Sequence, residues 1–257
     1  MKTLLALLSL TRRELVHFLR QPSRVVGAAA TPLVFWLFFG SGFSGSFRLP
    51  GGSSEVDYLE YFFPGTVALL VLFAAIFSTM SVIDDRHAGF LQGVLAAPVP
   101  RWAMVAGKVL GGSILGWGQG VVFLALAPLA GIRPGLGGLA LATAILALMA
   151  LGMTALGFAF AWQVDSTQGF HAVMNLLLIP MWLLSGALFP AAGAPGWLRA
   201  VMTANPLTYG VDALRHALSP ASVTGAGLGP CLGVLGGFAA ACLVADVIVV
   251  RSRPGRA

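Results

Sequence analysis

YFFPGTVALLVLFAAIFSTMSVI, residues 61–83, runs for 23 residues without one charged side chain. A helix needs about 20 apolar residues to cross the hydrocarbon core of a bilayer. The run ends in DDRHAGFLQGVLAAPVPR, residues 84–101, where acidic, basic and proline residues crowd together. A spanning helix followed at once by a polar break decides how the rest of the chain is read.

The whole chain supports a membrane setting. It is 58% hydrophobic and 9% charged, whereas soluble domains carry about 25% charged residues. Further apolar runs lie at 25–43, 102–130, 136–162, 170–189 and 228–250. With 61–83 they predict an all-α integral membrane protein, one domain over 1–257, with six transmembrane helices. Residues 1–22 lack a small-x-small cleavage site. They read as a retained amphipathic interfacial helix with Lys2, Arg13, His17 and Arg20 on one face and Leu4, Leu8, Leu15, Phe18 and Leu19 on the other. Residues 193–218 hold short external or re-entrant helices, with Asn205 and Pro206 as cap and first residue of one and Asp212 paired with Arg215.

Basic residues set the orientation. An even number of spans leaves both termini on one side. That side receives 11 of the 15 Lys and Arg, and the other receives Arg48, Arg133, Arg199 and Arg215. By the positive-inside rule both termini are cytoplasmic, in a multi-pass protein of the cell (inner) membrane. The loop 44–60, with Glu55, Asp57 and Glu60, then faces outward. The net charge of +6 belongs to this asymmetry and implies membrane lipids, not nucleic acid, as partners.

The stretch 84–101 becomes a cytoplasmic helix of about three turns, near 85–97. Asp84 or Asp85 caps its start, and Pro98 and Pro100 stop it. Phe90, Leu91, Val94 and Leu95 form its apolar stripe. Two roles fit this shape: a membrane-surface anchor, or a lever passing a push from a partner into the flanking spans.

The order of features resembles the ABC-2 type transporter permeases, the membrane subunits of drug, lipid and polysaccharide exporters. The similarity runs through RRELVHFLRQP, YFFPGTVALLV, DDRHAGFLQGVLAAPVPR, LLSGALFP and NPLTYGVDALR. It implies that residues near 85–97 are a coupling helix docking on a separate ABC ATPase subunit. The matching residues are Asp85, Arg86, Gly89, Phe90, Leu91, Gln92, Leu95, Pro98, Val99 and Arg101. The family often carries Glu near Gln92, so a salt bridge there does not carry over. The resemblance further implies two permease copies (a homodimer, or this chain with a related one), export by ATP-driven alternating access, and a pathway lined by the second and fifth spans. Phe63, Phe73, Phe77, Asn175, Leu178, Met181 and Ser185 are the lining expected. Such lining suits a hydrophobic, lipid-like or drug-like cargo, polysaccharide being the other class in the family.

Other chemistries find little support. Gly107-Lys108 is followed by Val109, so the phosphate-cradling P-loop pattern is absent; any ATP and magnesium are bound by the partner subunit, and no cofactor or enzymatic activity is expected of this chain. Gly42-Phe43-Ser44-Gly45 matches a protease-like G-x-S-G, but no base stands in an evident partner position. No cluster of His, Cys and carboxylates has metal-ligand spacing. Cys231 and Cys242 sit about 16 Å apart along one helix, too far for a disulfide. An ATP-independent channel or secondary carrier is the competing reading; it requires charges along an intramembrane path. The polar residues inside runs are Gln119, His171, Asn175 and Asp246, the last placed for pairing with Arg251 or Arg253. Gly112, Gly116 and Gly120, and likewise Gly229, Gly233 and Gly237, recur every four residues. That spacing suits close helix packing within the bundle, or a contact between copies.

Overall fold

The computed structural model describes residues 2–43, 57–220, 223 and 225–252. Ser44, Arg48, Glu55, Arg253 and Arg256, and most of the expected 44–60 loop, lie outside the described residues. Among the described residues ten α-helices follow one another: α1 Lys2–Leu19, α2 Pro22–Phe43, α3 Tyr58–His87, α4 Phe90–Ala96, α5 Arg101–Leu124, α6 Leu136–Ala161, α7 Thr167–Leu183, α8 Gly196–Ala204, α9 Pro206–Leu218 and α10 Leu228–Ser252. No strand occurs among the described residues.

The 61–83 run forms the middle of α3, whose 30 residues reach about 45 Å at 1.5 Å per residue. Helices α2, α5, α6, α7 and α9 all pack on it. Its most apolar stretch is 89% buried, which is why no polar face interrupts the run. Helices α6 and α10 pack side by side, and α1 lies against α5.

Four helices among the described residues are long and apolar enough to cross a membrane: Val25–Phe43, Tyr58–His87, Leu136–Ala161 and Leu228–Ser252. The expected six are therefore four by this measure. Lys108, Gln119 and six glycines dilute the apolar character of α5. Helix α7 has 17 residues and ends at Leu183 instead of reaching 189, because Gly186 takes a left-handed φ of 77° and turns the chain. The third run also shortens: the α-helix stops at Leu124, and Ala127–Ala130 form a 3-10 turn.

Three of the α5 glycines, Gly107, Gly111 and Gly112, are needed for close contact. A Cβ on Gly112 would stand 2.6 Å from Ser78 Oγ, and one on Gly111 would stand 2.6 Å from Glu14 Cβ. Gly229, Gly233 and Gly237 behave otherwise. A Cβ on any of them meets nothing within 4 Å, so the expected intrachain packing role of that stripe is corrected. Gly112→Val is expected to cost about 1–3 kcal/mol through overpacking, lowering the thermal midpoint of the detergent-purified protein. Gly233→Ala, which adds a methyl to open space, is expected to leave that midpoint unchanged or raised.

Candidate functional site: a buried ion cluster beneath a short surface helix

The polar stretch 84–101 does not form the helix expected. Asp84 and Asp85 belong to the last turn of α3, which continues to His87. Ala88 N–H donates to Asp84 O at 2.9 Å. Gly89, at φ 71°, breaks the chain direction in a conformation that disfavours a Cβ. The surface helix then begins at Phe90 and has seven residues, about two turns instead of three. Neither aspartate caps it.

The reason lies in what Asp85 does. Its side chain is 4% exposed and accepts a two-pronged bond from the Arg13 guanidinium, at 2.6 and 2.7 Å. Lys108 Nζ donates to Asp85 Oδ2 at 2.6 Å and to Glu14 Oε1 at 2.8 Å. Ser81 Oγ donates to Glu14 Oε2 at 2.5 Å. Two carboxylates and two cations thus neutralise one another, with Lys108 2% and Glu14 5% exposed. Such a set is stable only when every member is paired, since an orphaned buried charge costs about 3–5 kcal/mol. The cluster binds α1, α3 and α5 at one point. It includes α4 as well: the Arg13 guanidinium stacks over the Phe90 ring, 3.7 Å from its centroid, a contact of about 0.5–2 kcal/mol.

Two more arginines tie the stretch to its surroundings. Arg86 donates to Trp162 O at 2.8 Å and Val164 O at 3.0 Å, and pairs with Asp165 at 3.2 Å. It therefore holds the end of α3 to the turn between α6 and α7. Arg101 donates to Val250 O and Arg251 O at 3.3 and 3.2 Å, joining the start of α5 to the end of α10. The apolar stripe of α4 points inward. Leu91 is fully buried, and Phe90, Val94 and Leu95 pack against the core. Gln92, Gly93 and Ala96 make the exposed face, and Pro98 is exposed beyond it. Phe90, Leu91 and Leu95 thus seat the helix, and Gln92 and its neighbours present it.

The expected lining residues do not form one surface within the chain. Phe63 is buried between Trp36 and Phe123, and Leu178 and Ser185 are buried as well. Phe73 and Phe77 are half-buried and stack on each other, with Phe77 edge-on to His171. Asn175, one turn along α7, is exposed, and Met181 is half-buried.

At the opposite end of α3 a second polar knot fixes the short helices. Asn205 caps α9 by accepting from Leu207 N–H at 3.0 Å, as its sequence predicts. Asp212 and Arg215 pair at 3.2 Å. Burial pushes the Asp212 carboxyl above the ordinary carboxylate range, with Arg215 opposing. Arg215 and Tyr61 both donate to Gly186 O, at 2.7 and 2.8 Å. Asp246 gains no arginine: both carboxylate oxygens are buried without a hydrogen-bond partner among the described residues. The expected pairing with Arg251 is not formed, and Arg253 lies outside those residues.

Glu14 and Lys108 are the residues that sequence reasoning missed. One signal was available. Leu10, Glu14 and Phe18 fall at i, i+4 and i+8, and a carboxylate in the middle of a buried stripe requires a cation.

The described residues thus form a bundle of long apolar helices with one short surface helix tied to the ends of several of them. The ABC-2 type transporter family model matches residues 6–219, and the chain belongs to that family. It is 27% identical over 216 residues to a protein named transport permease ycf38 of Cyanophora paradoxa, covering 83% of this chain and 74% of that one. It is 26% identical to the daunorubicin resistance ABC transporter permease protein DrrB1 of Streptomyces coeruleorubidus, covering 80% and 72%. Nodulation protein J of Rhizobium meliloti is also 26% identical, with 79% and 77% covered.

Lys108→Met would leave Glu14 and Asp85 with only Arg13 between them. A destabilisation of about 3–5 kcal/mol is expected, read as a fall in thermal midpoint or in yield of folded protein from detergent. Lys108→Met combined with Glu14→Gln removes one charge of each sign and is expected to recover part of that loss.

Proposed function

We propose that this chain is the membrane-spanning subunit of an ATP-driven exporter of the cell membrane, with ATP and magnesium bound by a separate ABC ATPase. The observation that carries the reading is α4. It is a two-turn surface helix with its apolar side seated in the core and Gln92, Gly93 and Ala96 outward. Side-chain bonds tie the stretch to α1, to α5, to the turn between α6 and α7 and to the end of α10. A push on α4 therefore reaches α1 and α5 through Arg13 and Asp85, α6 and α7 through Arg86, and α10 through Arg101. A surface anchor alone needs none of these ties.

On this reading α4 is the coupling helix and faces the cytoplasm, as do both termini. The described basic residues agree: Arg12, Arg13, Arg20, Arg86, Arg101, Lys108 and Arg251 lie at the α4 end, and Arg133, Arg199 and Arg215 at the other. Helices α5 and α7 complete six crossings, with α5 glycine-rich and α7 short. Two copies enclose the pathway and alternate between inward-open and outward-open states as the ATPase closes. Its lining within this chain narrows to Phe73, Phe77, Asn175 and Met181, since Phe63, Leu178 and Ser185 face the chain's own core. The aromatic pair suits a hydrophobic, lipid-like or drug-like cargo, and one relative is named for resistance to the drug daunorubicin.

Gln92→Asp with Ala96→Asp alters only exposed positions of α4. The double variant is expected to purify folded but to lose its ATPase partner and ATP-dependent transport in vesicles, by at least tenfold. Retained ATP-driven transport would contradict the coupling role. Transport driven by a proton gradient without ATP would instead support a secondary carrier, for which the buried Asp246, without a hydrogen-bond partner among the described residues, is the candidate group.

A further inference from the structure

Halfway along α6 its outward surface is grooved. Ser113, Ile114 and Trp117 of α5 face Ala144, Ala147 and Leu151 of α6 across a hollow of about 430 Å³. Small side chains make the space: Ala144 and Ala147 are exposed, and neither reaches across it. Two polar side chains stand in the walls, and both are engaged within the chain. Ser113 Oγ donates to Val109 O at 2.6 Å. Trp117 Nε1 donates to Thr143 O at 3.1 Å, which fixes the indole as a rigid wall between the two helices. The walls therefore carry no charge and offer no free side-chain donor, so the chemistry that complements them is hydrocarbon.

Depth says which molecule reaches the groove. Ala144 and Leu151 lie about 12 and 22 Å along α6 from its start at Leu136. The helix has 26 residues, which span about 39 Å, and it is long and apolar enough to cross a membrane. The groove thus falls in the middle of a hydrocarbon core about 30 Å thick, where acyl chains are the surrounding medium. Its direction agrees. The α5 wall runs from Leu110 to Trp117 and the α6 wall from Ala144 to Leu151, each about 10 Å, so the hollow follows the helices across the bilayer, as acyl chains do. An apolar cavity of about 150 Å³ accepts a benzene ring, so this one accommodates a longer stretch of hydrocarbon. Phe73, Phe77, Asn175 and Met181 stand on α3 and α7, and none of them lines the groove.

We propose that the groove between α5 and α6 is a binding site for one acyl chain of a membrane phospholipid. The proposal rests on α6 crossing the bilayer and not on the role of α4. The bound chain acts as a spacer. It fills the gap between α5 and α6 beside the one cross-helix indole bond, Trp117 to Thr143 O, and so sets how closely the two can approach. Their ties at the α4 end are separate: Lys108 holds α5 to Glu14 and Asp85, and Arg86 holds the end of α6 through Trp162 O. With the groove filled, a displacement of one helix is passed to the other through the chain between them.

Fluorescence quenching tests this. Phosphatidylcholine brominated at mid-chain, which quenches tryptophan on contact, is added to the delipidated full chain in detergent. The Trp117 signal is the difference between the wild type and Trp117→Phe; the other tryptophans are common to both. Quenching of that signal at equimolar lipid is expected. Ala147→Leu fills the groove from an exposed position and is expected to abolish the equimolar quenching, measured against Ala147→Leu with Trp117→Phe, while the thermal midpoint stays unchanged. Quenching that needs a large excess of lipid, or that survives Ala147→Leu, reports lipid passing over the surface and overturns the proposal. Ile114→Cys tests the other occupant: a disulfide between copies in membranes, absent from the parent protein, assigns the groove to a second copy and overturns the acyl-chain site. Each of these outcomes leaves the coupling role of α4 untouched.

Discussion

The cluster of Arg13, Glu14, Asp85 and Lys108 is the constraint from which the arrangement of this protein's α4 end follows. Three of the four side chains are at most 5% exposed. Charges withdrawn from water must be matched in number and held in contact, or the fold cannot tolerate them. Matching them forces three helices from distant parts of the chain to one point: α1 supplies one ion of each sign, α3 the second carboxylate and α5 the lysine. Lys108 sits about 10 Å along α5 from its start at Arg101. The joint therefore lies within the body of the bundle and reaches the surface only through Arg13. Phe90, stacked on that arginine, is how the surface helix becomes part of it.

Close approach makes the cluster possible. Gly107 and Gly111 let α1 lie on α5, and Gly112 lets α5 lie on α3 beside Ser78. The same four-residue spacing in α10 has no such purpose inside the chain, since nothing meets Gly229, Gly233 or Gly237. A glycine stripe marks a surface that can be approached; only the neighbours decide whether it is. At the other end of α3 the Arg215, Tyr61 and Gly186 contacts fix where α7 stops and α9 begins. Helix α3 is thus pinned at both ends by polar contacts and enclosed between them by apolar ones.

Much of this was legible in the sequence, because apolar run length maps directly onto helix length in a membrane protein. The runs at 25–43, 136–162 and 228–250 fall within a few residues of α2, α6 and α10. The Asn205–Pro206 start and the Asp212–Arg215 pair follow from local rules and are found. What failed were features settled by distant partners. Asp84 and Asp85 look like helix caps when only their neighbours are considered. Asp85 is instead claimed by Arg13, 72 positions away, and α3 extends past it. The stripe of α4 was visible, but whether it faces the core or a partner depends on what lies above it. Asp246 and Arg251 are close in sequence, yet the helix directs the carboxylate inward and Arg251 outward.

Held by the buried cluster, α1, α4 and the ends of α3 and α5 are expected to move as one body. Spin-label distances in the complex with its ATPase, taken with and without bound nucleotide, test it most directly. Labels at Arg12 and Ala96 report within the body. Labels at Ala96 and Leu129, both exposed, report between this end and the opposite one. The first distance distribution is expected to stay unchanged while the second shifts by several ångströms. A shift between Arg12 and Ala96 with no change to Leu129 would contradict it, since α4 would then slide over the cluster and not carry the helices with it.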